Sequence, residues 1–432
     1  MNGAGSSGLL TRIATAGALA VAFILLTNWP TYHYLILGGP PPLVYYGLCG
    51  LIALPLVFLW PVAGIRVLKH GVFWWFLIYT IGGLLWLLLS QDFAEIANHQ
   101  WRLRVLAYCL FCTVLIIVGV ANRSIVAFAI FACVFIAGAL NWFDALFPLR
   151  IVPRAFEAAN PGRGAGLFLN ANAAAAFALM GTIAALPHVR MRLRTVLLMT
   201  AIVAVAPTFS RFGLIFVVLL VVLAILLRML DRLQVAVLFA AIPFVIAGAM
   251  LYHAHLLKAE SANENIVARL AWFQSFGRQA DFSARERAYV AQRALDKFLE
   301  SPLYGHGLGA TTAKGQRTGT HNVYLLLMVE QGLVGLALYL SLIAAFIQRG
   351  WRLVRSAVDA HGQDTGRAML LYAIFLSLYG FASHNVLDEP HGMFILAFMV
   401  ASAAGAAVSR RVHDARVVVA WPPKLQRAQK LS

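Results

Sequence analysis

Thr320-His321-Asn322-Val323-Tyr324 leads through an apolar turn into Glu330-Gln331-Gly332-Leu333-Val334-Gly335, the opening of a stretch that stays apolar to Phe346. A run over 322–346 is long enough to cross a bilayer as a helix. His321 then stands at the lip of that helix, with Glu330 about two and a half turns deeper. Ionisable groups at such a depth are costly and point to function or to pairing within a bundle. Upstream, a helix signal carries Arg285 and Arg287, and Ser301-Pro302-Leu303-Tyr304-Gly305-His306-Gly307-Leu308-Gly309 follows it. Cationic side chains and mobile backbone are thus delivered to one lip, which reads as the working site.

The rest of the chain agrees with a membrane setting. Hydrophobic residues make up 61% and charged residues 12% of 432, with a net charge of +17, a composition foreign to soluble domains of this size. The apolar runs lack period-2 alternation, so the expected fold is all-α and polytopic, not a barrel. Spans are predicted at 9–27, 43–60, 71–90, 103–120, 124–140, 171–187, 195–208, 212–228, 234–252, 322–346, 368–386 and 392–409, about 12 in all. The first is read as a retained helix, because no small-residue cleavage site follows it. A Pro40-Pro41-Pro42 loop turns the chain back after it. Cys49, Cys109, Cys112 and Cys133 all fall within spans and read as small apolar residues, not as a disulfide or zinc framework.

Lys and Arg collect on the side of the termini: Arg66 and Lys69, Arg123, Arg190 to Arg194, Arg228 and Arg232, Arg349 to Arg367, and the tail. Both termini are therefore expected in the cytoplasm. The short outer loops are expected to hold Arg102, Arg104, Arg150, Arg154, Arg163 and Arg211. The chain divides into spans over 1–252 with an Arg-containing outer loop at 141–170, a long outer loop at 253–320, spans over 321–409, and a basic tail at 410–432.

Within the long loop, Ser261-Ala262-Asn263-Glu264 and Ser283-Ala284-Arg285-Glu286 both fit capping boxes. The first opens an amphipathic helix of the kind that lies on a membrane surface. In the second, Val290, Ala291, Ala294, Leu295 and Phe298 share the face of Arg287. Arg287 should point inward and Arg285 into solvent. Pro302 and Gly305 should end this helix.

Arginine suits a phosphate or pyrophosphate, because its planar fork makes paired charge-assisted hydrogen bonds. Three outer positions qualify: Arg163 in a Gly-rich loop before Asn170 and Asn172, Arg211 between two short spans, and Arg287. Taken singly, each also fits an interfacial anchor. His321 can serve as general base or hydrogen-bonding group near neutral pH. Asn322 and Glu330 are possible supports, Glu330 within the bundle. His384-Asn385 and Asp388-Glu389 repeat the polar lip beyond the eleventh span and could close the same cavity. The chain has neither an HExxH sequence nor an Asp-x-Asp pair, and Walker loops and nucleotide fingerprints are lacking as well, so an outer-face reaction would draw its energy from the substrate.

The run His321-Asn322, nine residues, Gly332, two residues, Gly335 resembles the pattern of bacterial O-antigen ligases. Pro302-Leu303-Tyr304-Gly305-His306-Gly307 is similar to the Pro-Leu-x-Gly-x-Gly stretch of the wider O-antigen ligase and polymerase superfamily. The likeness extends upstream to Ser210-Arg211 and more loosely to Asn172 and Arg163, covering roughly 160–340. It implies a GT-C-like glycosyltransferase of the inner membrane with a periplasmic active site and no cofactor or metal. The implied donor is an undecaprenyl-pyrophosphate-linked polysaccharide and the implied acceptor a sugar hydroxyl of lipid A-core, with membrane lipids as surroundings and no nucleic acid partner. His321 is carried over as base or orienter of the acceptor hydroxyl, and Arg211, Arg287 and Arg163 as pyrophosphate ligands. Two neighbouring arginines, Arg285 and Arg287, stand where the pattern has one; spacing back from Pro302 favours Arg287. An O-antigen polymerase and a protein O-oligosaccharyltransferase share the same motifs. A transporter would instead be expected to carry charged residues in a central cavity.

Overall fold

The computed structural model describes residues 3–59, 67–90, 94–147, 149–153, 163–241, 248, 282–312 and 320–420. Among them the regular structure is helical, and no strand occurs. In chain order the helices are α1 (Gly3–Leu26), α2 (Trp29–Leu37), α3 (Pro42–Leu59), α4 (Gly71–Leu88), α5 (Ala94–Val120), α6 (Arg123–Leu146), α7 (Ala171–Ala185), α8 (Met191–Val205), α9 (Arg211–Leu226), α10 (Arg232–Ala241), α11 (Phe282–Glu300), α12 (Val323–Ser356), α13 (Ala360–Tyr379) and α14 (Pro390–Ala420). Six of the described helices are long and apolar enough to cross a membrane, and five shorter apolar helices accompany them. The chain is a multi-pass, all-α membrane protein. The predicted amphipathic helix after Ser261 and the end of the predicted span at 234–252 lie outside the described residues.

Local chemistry sets most boundaries. Asn122, Asn170, Ser210, Asn322 and Asp359 each cap the helix that follows, accepting from one or two of its first backbone N–H groups. The interior is closed by small residues: a Cβ at Gly138 of α6 would lie 2.8 Å from Ala204 of α8, and one at Gly181 of α7 would lie 2.7 Å from Val134 of α6. Such surfaces let helix backbones approach closely where lipid gives no hydrophobic drive to associate. The alanine-rich α7 is buried along nearly its whole length, contacted by α6, α8, α9, α13 and α14.

Several expectations need correction. Arg102 and Arg104 do not lie in an outer loop. Helix α5 starts at Ala94, so both are within it, and Arg104 is 4% exposed. Hydropathy placed the start late because a charged residue lowers the local average even when its partner is buried beside it. Residues 29–37 form a helix instead of a simple connection, with Asn28 and Gly38 in the left-handed region at its two ends. Helix α13 ends at Tyr379, short of 386, which leaves 380–389 as a connecting loop. The apolar run over 322–346 is not one continuous helix but is broken at Gly332.

Candidate functional site

The break in α12 organises the site. Gly332 has φ +64° and ψ −158°, a conformation essentially restricted to glycine. Interrupting a helix strands backbone groups that need new partners within a membrane protein. The Gly-rich connection after α11 supplies them. His306 N donates to Val329 O (2.9 Å) and Gly307 N to Glu330 O (3.0 Å), while Leu333 N donates to Pro302 O (2.8 Å) and Val334 N to Leu303 O (3.4 Å). The fit leaves no room for side chains: a Cβ at Gly332 would stand 2.3 Å from Leu303 O, and one at Gly305, itself at φ +72°, 2.5 Å from the Glu330 carbonyl carbon. The spacing of Pro302, Gly305 and Gly332 is thus the requirement for docking a loop into a broken helix.

Glu330 serves this docking. Fully buried, it accepts through Oε1 from Thr311 Oγ1 (2.8 Å), Gly309 N (3.1 Å) and Gln100 Nε2 (3.3 Å), and Oε2 lies 3.9 Å from Arg104 Nη2. Arg104 lies 4.6 Å over the Tyr79 ring, and with the Gln331 amide assigned so that its oxygen faces the guanidinium, Gln331 Oε1 accepts from both Nη atoms at 2.8 and 2.6 Å. Asp388, from the loop after α13, lies close enough to feel Arg104. Burial pushes its carboxyl up to about 6 against that attraction, and its Oδ1 is buried with no hydrogen-bonding partner among the described residues. The sequence reading named Glu330 but missed Gln100, Arg104 and Gln331. The available signal was Arg104, a charge at the edge of an apolar run.

His321 sits one residue before the cap of α12, at φ +47°. Asn322 Oδ1 accepts from Tyr324 N (2.9 Å) and Leu325 N (3.2 Å), so Asn322 acts as helix cap. Val323 N donates to Gly380 O (2.8 Å), tying the start of α12 to the end of α13. That tie brings His384 beside His321, with ring centroids 5.5 Å apart and planes at 64°. Helix α11 packs against α12 through Ala294, Phe298, Leu325 and Val329. Arg287 is partly buried there and acts electrostatically on His321, whereas Arg285 is exposed, as the helical face requires. Burial foremost, and then Arg287, lower the His321 pKa; Glu286 opposes them.

The other two arginines are linked through the turn that precedes α9. Arg163, 8% exposed, donates from Nε to Thr208 O (3.0 Å) and from Nη2 to Asn172 Oδ1 (3.3 Å), and Gly164 N donates to Pro207 O (2.7 Å). Asn172 and Arg163 therefore brace the turn that presents Arg211 at the first position of α9. Phe212, next to Arg211, packs on Tyr379 at 5.2 Å, and Tyr379 immediately precedes Gly380. His391 lies edge-on to Phe168 at 5.2 Å and pairs with Glu389 at 3.0 Å. The loop 380–389 and the first turn of α14 bridge the Arg163–Arg211 group and the His321–Arg287 group.

His321, Arg287 and His384 thus converge directly, with Arg211 and Arg163 joined to them through the α13–α14 loop. Glu330 and Asn322 have structural partners, and Arg285 faces away. Among the described residues no group of three or more His, Cys, Asp or Glu side chains is arranged to hold a metal ion. None of the curated proteins compared with the chain matches it. Residues 195–340, which include Arg211, Arg287, the docked Gly-rich loop, His321 and the helix break, match the sequence profile of the family described as O-antigen ligase. Over that segment the chain is similar to the O-antigen ligase family.

Proposed function

We propose that this protein is an O-antigen ligase of the bacterial inner membrane, joining undecaprenyl-pyrophosphate-linked polysaccharide to a sugar hydroxyl of lipid A-core on the periplasmic side. The observation that carries the reading is the convergence of a neutral-leaning His321 with Arg287 at the lip of the broken helix, inside the segment that matches the family. The Lys and Arg distribution supports a cytoplasmic location for both termini.

His321 accepts the proton of the acceptor hydroxyl as its oxygen bonds to the anomeric carbon of the donor. The carbon–oxygen bond to the pyrophosphate breaks with its electron pair going to that oxygen, giving the glycosylated core and undecaprenyl pyrophosphate, with inversion. The leaving group is already a weak base, so it needs charge stabilisation more than a proton. Arg287 and Arg211 supply that, without metal. Arg163, two of whose N–H groups hold Thr208 and Asn172, positions the Arg211 turn. Placing two lipid-anchored substrates in one cavity adds the proximity contribution.

An O-antigen polymerase would use the same donor and the same histidine, with the non-reducing end of a second lipid-linked chain as acceptor. The test is reconstitution of purified protein with lipid-linked polysaccharide, offering lipid A-core or a second lipid-linked chain. Transfer to core supports the ligase; extension of the lipid-linked chain alone establishes the polymerase instead.

A further inference from the structure

His384 is the one histidine of the α13–α14 loop that the proposed chemistry does not use, and its surroundings are those of a binding group. Its ring meets His321 edge to face at 5.5 Å, and its Nδ1 is buried with no hydrogen-bond partner among the described residues. A buried polar atom without a partner costs roughly 1–3 kcal/mol, so a ligand hydroxyl that completes it relieves that cost on binding. The backbone sets the pair in place: the Val323–Gly380 hydrogen bond joins the two segments, and Asn385 N donates to Ser383 Oγ (3.2 Å) around His384.

Charge decides which substrate this atom meets. The arginines of the site lie on α9, α11 and the 163–172 segment, whereas the acidic neighbour of His384 is Glu389. Burial, reinforced by His321 and opposed by Glu389, holds His384 down to about 4, so it is neutral near pH 7. A neutral imidazole with a carboxylate as its charged neighbour suits an uncharged hydroxyl better than a pyrophosphate.

We propose that His384 is a substrate-contacting residue whose Nδ1 hydrogen-bonds a hydroxyl of the acceptor sugar, holding it against His321. This rests on the reading of the site as a glycosyltransferase with a sugar-hydroxyl acceptor, and it holds for ligase and polymerase alike. His321 takes the proton, and His384 orients the sugar that gives it up.

The test measures acceptor and donor KM separately for the purified full-length protein in lipid nanodiscs, using His384→Phe, His384→Asn and His384→Gln. Phenylalanine keeps a ring against His321 but removes the nitrogen. Asparagine places an amide group near the position of Nδ1, whereas glutamine places one near Nε2. His384→Phe should raise acceptor KM by about 3- to 10-fold, the loss of one hydrogen bond, with donor KM within about twofold. His384→Asn should recover most of the loss and His384→Gln little. An unchanged acceptor KM in His384→Phe overturns the proposal, as does a parallel rise in both KM values, which marks a packing role. If His384→Phe does not fold, equal behaviour of the Asn and Gln variants overturns it. Wild-type protein that transfers no glycan to any hydroxyl overturns the glycosyltransferase reading itself, and the acceptor role falls with it.

Discussion

Arg104 Nη2 and Glu330 Oε2 lie 3.9 Å apart, with side chains 4% and 0% exposed, and they join the middle of α5 to the break in α12. Removing one member of such a pair strands the other as a buried charge. Arg104→Met or Glu330→Gln should each cost about 3–5 kcal/mol, and the two combined should recover a large part. Thermal unfolding of the detergent-purified variants checks this; additive losses in the double variant would show that the two side chains are energetically independent.

The docking of Pro302–Gly307 into the helix break makes a second prediction. Gly332→Ala puts a Cβ 2.3 Å from Leu303 O at a φ of +64°, so it should cost at least about 1–3 kcal/mol and displace the Gly-rich loop. Gly47→Ala, on an open face of α3 with nothing within 4 Å of its Cβ, should be neutral or stabilise by up to about 1 kcal/mol. Comparable unfolding temperatures for the two variants would contradict the strain argument.

Arg287 and Arg285 lie two residues apart on α11 and face different surroundings. Arg287→Ala removes one charge-assisted contact to the donor pyrophosphate, worth about 1.5–3 kcal/mol, or roughly 10- to 150-fold in rate. Arg285→Ala should leave the rate nearly unchanged, since the side chain is exposed. Initial rates with equal amounts of folded protein decide the ranking, and the reverse order would place the pyrophosphate on the other face.

His321→Ala should lower transfer by about 10²- to 10⁴-fold while donor binding persists. The wild-type pH profile carries a sign. Because burial and Arg287 lower the His321 pKa, the free imidazole persists below the ordinary value of about 6.5, and the rate should fall only at more acid pH. Arg287→Ala removes one of those causes, so the acid limb of its residual activity should move to higher pH. The same lowered pKa means that the unfolded chain binds protons more readily, so His321 lowers stability as pH falls through about 6.5. A near wild-type rate for His321→Ala would remove the base from the mechanism.

Much of this was legible in the letters because it is local. Helix class follows from apolar run length, and the separation of Arg285 from Arg287 from helical periodicity. Pro302, Gly305 and Gly332 could be read as a family pattern, but their spacing alone does not show that one loop hydrogen-bonds into another helix's break. That depends on approach distances that exist only after packing. Arg104 on α5 reads as an outer-loop charge until Glu330 and Gln331 of α12 are set beside it. His384 reads as a loop residue that could close the cavity, and the Val323–Gly380 hydrogen bond is what brings it to His321. Sequence by itself determined that the chain is a set of apolar helices and which residue types are candidates for the chemistry. Only the tertiary structure decided which of those residues meet, since partners far apart in the chain are chosen by how the helices pack.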